Sequence, residues 1–127
     1  MNILITGGCG YTGTILTIEL IKLGHKVTVI DTQWFGNYLQ SQKNLKILKL
    51  DIRDHENIPL QGVNVVVHLA NIANDPSVEL NPQLSWDVNV LATRALIESS
   101  IKNKVKQFIF ASSGSVYGVK SEKEVTE

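Results

Sequence analysis

The sequence predicts an α/β protein with a doubly wound parallel sheet. Apolar runs such as residues 3–5 and 65–67 lack the polar alternation of half-exposed strands, which indicates strands covered by helices on both faces. Segments with helical spacing of apolar residues separate these runs along the chain. With 127 residues, 43% of them hydrophobic, the chain can form one compact domain, residues 1–127.

Five β-rich runs are the predicted strands of this sheet. They span residues 2–6, 27–31, 46–51, 63–69 and 107–112. A doubly wound sheet of this kind has the strand order 3-2-1-4-5-6. The sheet is therefore expected to be truncated after about five strands, with the fifth run as an open apolar edge that favours self-association.

The first predicted helix runs from about residue 11 to residue 23. It carries Gly13, Leu16, Leu20 and Leu23 at helical spacing, and Gly24 beyond it offers a left-handed stop. A short helical turn is also expected within residues 53–60.

A second, longer helix is predicted to begin at Asn81, which can cap it, with Pro82 in the first turn. It should end near residues 102–104, whose basic side chains suit the carboxyl end of a helix. Its predicted apolar face consists of Leu84, Val88, Leu91 and Ala95. Residues 119–127 are predicted to form a solvated loop.

The composition excludes several classes of partner. Twelve Lys and Arg against twelve Asp and Glu give a net charge of zero, which argues against nucleic acid and anionic membranes. No apolar stretch approaches the length of a membrane span, so a cytoplasmic location is expected. The single cysteine, Cys9, excludes an internal disulfide and a Cys-based metal cluster, and a small filler in a turn is preferred to a reactive thiol. No metal site is predicted.

A glycine-rich segment follows the first strand and opens the first helix. Gly7 permits a tight turn, Gly10 lets the backbone approach a pyrophosphate, and Gly13 allows close packing of helix and sheet. The opening N–H groups of the helix, at Tyr11 and Thr12, would face the phosphates at the positive end of the helix dipole. This context is typical of a Rossmann-type dinucleotide site.

Asp31 ends the second strand, where a carboxylate can accept hydrogen bonds from the adenosine ribose. Residues 32–42 contain no Arg or Lys for a 2′-phosphate, so NAD is predicted in preference to NADP. The aromatic residues Trp34, Phe35 and Tyr38 either cover the adenine or anchor the loop, and the sequence does not decide between the two.

With these features the chain resembles the extended short-chain dehydrogenase/reductase family, especially its sugar-nucleotide epimerases and dehydratases. The spacing Thr6-Gly7-x-x-Gly10-x-x-Gly13 matches the family pattern, and four later segments match in order. The resemblance implies that Asp51 and Ile52 touch the adenine. It also implies that Leu69, Ala70 and Asn71 flank the ribose and nicotinamide, that Asn89 is structural, and that Ser113 is the active-site hydroxyl.

The resemblance implies a function as the NAD-binding domain of a nucleotide-sugar epimerase or dehydratase. Such enzymes continue into a Tyr-x-x-x-Lys pair and a substrate domain, which are expected to be absent here, since Tyr117 and Lys120 have the wrong spacing. Whether the chain is itself an enzyme is therefore open, and so are the sugar and the type of reaction. The alternative is an NAD-sensing module without turnover.

Three polar positions have simpler interpretations. Ser113 could merely satisfy backbone groups. His68 is expected to be packed or backbone-bonded rather than a metal ligand, and Asn89 to satisfy a backbone kink or an internal water. The Asp75-Pro76 pair indicates a turn.

Overall fold

A five-stranded parallel sheet forms the centre of the protein. The computed structural model describes residues 1–73 and 79–113. The strands are β1 (Asn2–Thr6), β2 (Lys26–Asp31), β3 (Leu45–Lys49), β4 (Val65–His68) and β5 (Gln107–Phe110), in the order β3-β2-β1-β4-β5. This order confirms the doubly wound, Rossmann-type fold. The winding reverses between β1 and β4, and in such sheets ligands bind outside the carboxyl ends of the strands at that point.

Both faces of the sheet are buried at its central strands β1, β2 and β4, as their apolar runs predicted, whereas most residues of β5 are exposed. Leu4 and Val66 belong to one core cluster, together with Leu96 of the second helical region. Ile3 and Ile5 belong to the opposite cluster, against which Leu16 and Leu20 of the first helix pack. Successive residues of a strand point to opposite faces, so two covered faces require apolar residues at every position.

Helix α1 (Tyr11–Lys22) connects β1 to β2. It ends with Gly24 in the left-handed region, at φ +82°, where the N–H of Gly24 donates to the carbonyl of Ile21 at 2.9 Å. Leu16 and Leu20 pack on the core as predicted, but Leu23 is exposed, because it lies just past the end of the helix. The predicted turn after β3 is a 3₁₀ turn at His55–Asn57.

The second helical region is continuous but has three parts. These are α2 (Pro82–Trp86), a π-helical segment (Asp87–Ala92) and α3 (Thr93–Lys102). The side chain of Asn81 caps it as predicted, accepting a hydrogen bond from the N–H of Leu84 at 3.0 Å.

The π-helical segment changes which side chains of this helix are buried. Leu91, predicted on the core face, is 49% exposed, whereas Val88, Ala92 and Leu96 are buried. A π-helical turn is wider than an α-helical one. The buried positions therefore fall four residues apart through this segment, which moves Leu91 away from the sheet.

Candidate functional site

A cleft lies at the carboxyl ends of the central strands. Its volume is about 230 Å³, so the described residues enclose room for part of a dinucleotide. Five segments of the chain form its walls. They contribute Gly7 and Gly10; Ile30, Asp31, Thr32, Trp34 and Phe35; Leu50, Asp51 and Ile52; Leu69, Ala70, Asn71 and Ile72; and Val88 of the π-helical segment.

Most of the predicted cofactor residues line this cleft. They are Gly7, Gly10, Asp31, Asp51, Ile52, Leu69, Ala70 and Asn71. Tyr11, Thr12 and Gly13 lie instead in the first turn of α1, with Tyr11 and Thr12 exposed and Gly13 buried. The structure thus brings the predicted residues of the strand ends to one cleft, next to the beginning of α1.

The glycine loop is a tight turn between β1 and α1. Gly7 has φ +71°, its N–H donates to the carbonyl of Ile30 at 2.8 Å, and its own carbonyl accepts from the N–H of Gly10 at 3.2 Å. A side chain at Gly7 would bring its Cβ to 2.7 Å from the backbone nitrogen of Ala70. Only glycine satisfies both the backbone conformation and this contact.

Gly13 allows α1 to lie directly against the loop. A Cβ at Gly13 would lie 2.6 Å from the Cα of Gly8 and would overlap the carbonyl oxygen of Gly7. Gly8 is packed as tightly, since a Cβ there would lie 2.6 Å from Cγ1 of Val29. The sequence indicated the role of Gly13 but assigned none to Gly8.

The amino end of α1 has no capping side chain. The residue before the helix is Gly10, which has no side chain to accept a hydrogen bond from the first turn. The first turn contains no acidic residue. The first helical hydrogen bond runs from the N–H of Thr14 to the carbonyl of Gly10, at 2.9 Å. The N–H groups of residues 11–13 come before it and have no acceptor within the helix. Such N–H groups, at the positive end of a helix dipole, can bind phosphate oxygens.

Asp31 joins the glycine loop to the loop after β2. Its Oδ2 accepts a hydrogen bond from the N–H of Cys9 at 3.0 Å, and its Oδ1 accepts one from the N–H of Gln33 at 2.7 Å. A carboxylate has about four acceptor positions, so both oxygens keep acceptor capacity toward the cleft. Asp31 can therefore hold the loop and accept ribose hydroxyls at once.

Cys9 is buried in this turn. Burial, and then the nearby carboxylate of Asp31, raises the pKa of its thiol to about 11. A thiol that stays protonated is a poor nucleophile, which agrees with the interpretation of Cys9 as a small filler.

Asp51 begins the segment after β3 and is paired with Arg53. Its carboxylate accepts from the backbone N–H of Arg53 at 2.9 Å and from Nη2 of the guanidinium at 2.6 Å. The side-chain hydrogen bond from Arg53 lowers the pKa of Asp51 below its ordinary value of 3.8. The neighbouring Ile52 is buried in the core. The pair fixes the turn that presents both residues to the cleft.

A line of buried polar side chains lies behind the Leu69–Ala70–Asn71 wall. Nδ1 of His68 is 2.6 Å from Oγ1 of Thr6, and Nε2 is 2.8 Å from Oγ1 of Thr93. The ring also packs against Phe108 and Phe110, with centroids 5.9 and 5.6 Å away. Burial lowers the pKa of His68 to about 4, so the ring is neutral near pH 7. His68 is packed as predicted, but its ring nitrogens are bonded to side chains rather than to the backbone.

Asn89 lies in the π-helical segment and holds Ile72, the residue that follows the Leu69–Ala70–Asn71 wall. Its Oδ1 accepts from the N–H of Ile72 at 2.8 Å, and its Nδ2 donates to the carbonyl of Ile72 at 3.1 Å. Sequence reasoning expected Asn89 to satisfy backbone groups, but it missed Thr6 and Thr93. The signal available for Thr6 was its position at the end of a strand next to the strand of His68.

The remaining sequence-predicted residues lie apart from the cleft or beyond the description. Ser113 follows β5, is exposed and does not line the cleft. Tyr117, Lys120, the Asp75-Pro76 pair and residues 119–127 lie outside the described residues. Trp34 and Phe35 line the cleft, and Tyr38 is exposed without lining it.

The part of the chain that the structure describes contains no helix long and apolar enough to cross a membrane. In the same residues, no group of three His, Cys, Asp or Glu side chains is arranged to hold a metal ion.

The residues present fit a dinucleotide. The glycine loop leaves no side chain between its backbone and the cleft, uncapped N–H groups begin α1, and a carboxylate stands at the end of β2. These features and the strand order define the class: a Rossmann-type nucleotide-binding protein with a glycine-rich loop between its first strand and first helix.

The model of the family described as "NAD dependent epimerase/dehydratase family" matches residues 3–127. The chain belongs to this family, as the resemblance in the sequence predicted. The family also confirms NAD as the predicted cofactor.

Individual relatives agree with the family. The UDP-glucose 4-epimerase of Corynebacterium glutamicum is 30% identical over 131 residues, covering 100% of this chain and 39% of that protein. The Thermus thermophilus UDP-glucose 4-epimerase in complex with NAD has a TM-score of 0.88 at 30% identity, covering 100% of this chain and 42% of that one. The UDP-N-acetylglucosamine 4-epimerase of Methanobrevibacter ruminantium, in complex with UDP-N-acetylmuramic acid, has a TM-score of 0.87 at 30% identity, covering 99% and 42%.

The chain thus spans about two fifths of the length of these relatives, 39% and 42% in the two UDP-glucose 4-epimerases.

Proposed function

We propose that residues 1–127 are the NAD-binding domain of a nucleotide-sugar epimerase or dehydratase. The complete enzyme transfers hydride between a sugar and the nicotinamide. The observation that carries this proposal is the cleft, where four segments predicted separately from the sequence converge. Solved structures of relatives are complexes with NAD or with a nucleotide sugar, which supports the same cofactor and class of substrate here.

Each wall of the cleft has a part in this proposal. The backbone of the glycine loop and the first N–H groups of α1, at Tyr11, Thr12 and Gly13, bind the pyrophosphate. Asp31 accepts hydrogen bonds from the adenosine ribose. Asp51 and Ile52 contact the adenine. Leu69, Ala70 and Asn71 flank the ribose and the nicotinamide.

Chemistry on the sugar requires more than cofactor binding. When bound, NAD supplies a nicotinamide that accepts a hydride and can return it. Ser113 is proposed to donate a hydrogen bond to the reacting sugar oxygen, which stabilises charge that develops there. The catalytic base that the family carries in a Tyr-x-x-x-Lys pair has no match at Tyr117 and Lys120, whose spacing is three residues.

The role of Asp31 is tested by comparing two cofactors. The Asp31 carboxylate would repel a 2′-phosphate by on the order of 1 kcal/mol near the surface, so NAD should bind about fivefold or more tightly than NADP in calorimetric titrations. In Asp31→Asn the ratio of the two affinities should approach one. The ratio cancels any general damage to the loop, and Glu98→Gln, a carboxylate on α3, serves as the control. Equal binding of NAD and NADP by the wild type would refute the assignment.

The role of Ser113 is tested with a panel of nucleotide sugars and NAD in the full-length protein. Ser113→Ala should lower kcat by about 10²-fold, as expected for loss of one preorganised donor. Ser112→Ala is the matched control, since it removes the neighbouring exposed hydroxyl. Equal activity of the two variants would refute the role. A full-length protein that binds NAD without converting any sugar would favour an NAD-sensing module.

Self-association is part of the proposal. Ile109 and Phe110 on β5 and Ile101 on α3 are large exposed apolar side chains, and such surfaces recruit partners. Ile101→Asp should weaken association in sedimentation experiments, whereas Ile15→Asp on the exposed face of α1 should not. A wild-type protein that stays monomeric at high concentration would contradict the proposed self-association. A cytoplasmic location without membrane contact belongs to the same proposal.

A further inference from the structure

The buried side chains Thr6, His68 and Thr93 form a continuous hydrogen-bonded line between strand β1 and helix α3. His68 is 1% exposed and stands at the end of β4, and both of its ring nitrogens are within 2.6–2.8 Å of a threonine hydroxyl. No cofactor role requires this line, and none of the three residues lines the cleft.

One end of the line reaches the wall of the cleft. Oγ1 of Thr6 accepts a hydrogen bond from the N–H of Ala70 at 3.3 Å, and the carbonyl of Thr6 accepts one from the N–H of Leu69 at 3.0 Å. The next residue, Gly7, approaches Ala70 so closely that its Cβ would lie 2.7 Å from the Ala70 nitrogen. The hydroxyl of Thr6 therefore lies where the glycine loop and the opposite wall are nearest each other.

The other end of the line reaches the helix that supports the wall. Thr93 begins α3, directly after the π-helical segment. Asn89 in that segment holds both backbone polar groups of Ile72, at 2.8 and 3.1 Å. The wall is thus fixed to one helix at two points, at Ile72 through Asn89 and at Ala70 through the buried line.

We propose that His68 is a positioning residue, which acts through Thr6 and Thr93 to set the distance between the Leu69–Ala70–Asn71 wall and the glycine loop, and so the fit of the cofactor. This inference rests on the proposed function for the nature of the ligand. Its geometric part, the placing of Ala70, holds without ligand.

The geometry also assigns the tautomer of His68. Among the described residues, the hydrogen-bond partners of Thr6 Oγ1 are the Ala70 N–H, which can only donate, and Nδ1 of His68, which can accept. The hydroxyl proton of Thr6 is therefore directed to Nδ1, and the Nε2–H of the ring donates to Thr93 Oγ1. A neutral imidazole has one donor and one acceptor nitrogen, as this order requires. In the opposite tautomer the Nδ1–H would donate to Thr6 Oγ1, and the proton of the fully buried Thr6 hydroxyl would need another acceptor.

The test uses Thr93→Val in the full-length protein, with Thr17→Val as its matched control. Both changes replace a buried threonine by an isosteric apolar residue, but Thr17 packs in α1 and its Oγ1 has no hydrogen-bond partner within the described residues. Thr93→Ser keeps the hydroxyl and is the rescue variant. Two quantities are measured: the exchange rate of the Ala70 amide hydrogen without cofactor, and the Kd for NAD by calorimetry.

Thr93→Val should accelerate Ala70 exchange and raise the Kd for NAD by about fivefold each, the equivalent of one neutral hydrogen bond. Thr17→Val and Thr93→Ser should keep the Kd for NAD within about twofold of the wild type, and neither should accelerate Ala70 exchange. The inference is overturned if Thr93→Val behaves like Thr17→Val, or if Thr93→Ser does not restore both quantities.

If a variant fails to fold, the tautomer of His68 in the wild type, measured by nitrogen-15 NMR, tests the inference independently. The Nε2–H tautomer supports the inference, and the Nδ1–H tautomer overturns it. A wild type that does not bind NAD would refute the proposed function, and Ala70 exchange together with the tautomer would still decide this inference.

Discussion

Lowering the pH is expected to destabilise the fold by protonating His68. Burial of the ring lowers the pKa of His68 from its ordinary value of 6.5 to about 4. The unfolded chain therefore binds a proton at this residue below about pH 6.5, whereas the folded chain does not until about pH 4. Stability is full above pH 6.5 and falls as the pH drops toward 4. At about 1.4 kcal/mol per pKa unit, the loss approaches about 3 kcal/mol.

The contribution of His68 can be separated from those of other groups. The lowered pKa of Asp51 affects stability only as its carboxylate is protonated, at and below about its ordinary 3.8, which is under the window of His68. His68→Gln removes the titrating group. In urea unfolding between pH 4.5 and 7.5, its free energy of unfolding should vary less steeply with pH than that of the wild type, by up to about 1.4 kcal/mol per pH unit.

NMR titration of the wild-type ring tests the same reasoning without a substitution. The His68 ring signals should remain those of neutral imidazole down to about pH 5 in the folded protein. A ring that titrates at 6.5 or above while the protein is folded would refute the argument. So would identical pH dependence in wild type and His68→Gln.

Three further predictions each concern a single residue. Thr17→Val should raise the free energy of unfolding by about 1 kcal/mol, because it removes a buried hydroxyl without a partner in the described residues; an unchanged or lower urea midpoint would contradict this. Gly8→Ala should destabilise by about 1–3 kcal/mol, since its Cβ would lie 2.6 Å from Cγ1 of Val29; a variant as stable as the wild type in urea would contradict the contact. Adding NAD should change the emission of Trp34, which lines the cleft. The change in emission should vanish in Trp34→Phe and persist in Trp86→Phe. If both variants keep the change, Trp34 does not report on the cofactor, which would favour the loop-anchor interpretation.

The sheet could be predicted from sequence because its determinants are local. A strand buried on both faces needs an unbroken apolar run, and each of the five runs became a strand with ends shifted by two residues at most. The capped start at Asn81 and the stop at Gly24 depend on one or two residues and were equally readable. The strand order followed from the glycine loop, since that loop is typical of one topology.

The π-helical segment could not be predicted in the same way. Its residues 87–92 include no proline or glycine to mark an interruption of the helix, and the buried face assumed for them used the α-helical period. The contacts that accompany the wider turn are tertiary, above all the two hydrogen bonds between Asn89 and Ile72, seventeen residues apart. Leu91 was misplaced for this reason.

The buried line through His68 was missed because its members are far apart in sequence. Thr6 and His68 are 62 residues apart and meet only because β1 and β4 pair in parallel with these two residues in register. Once the strand order 3-2-1-4-5 is assumed, the two strand ends must be neighbours. Thr93 could not be added even then, because its direction depends on the π-helical segment before it.

The hydrogen bonds that shape the cleft join residues of the chain itself. Asp31 joins the glycine loop to the loop after β2 through the N–H groups of Cys9 and Gln33, and Arg53 holds the turn at Asp51. The opposite wall is tied to β1 and to the π-helical segment by Thr6 and Asn89. Each wall is therefore held in place by contacts within the fold. Preorganisation of this kind increases affinity by reducing the entropy lost on binding. It also means that a substitution behind a wall, remote from any ligand atom, can weaken cofactor binding while the residues in contact with the cofactor stay the same.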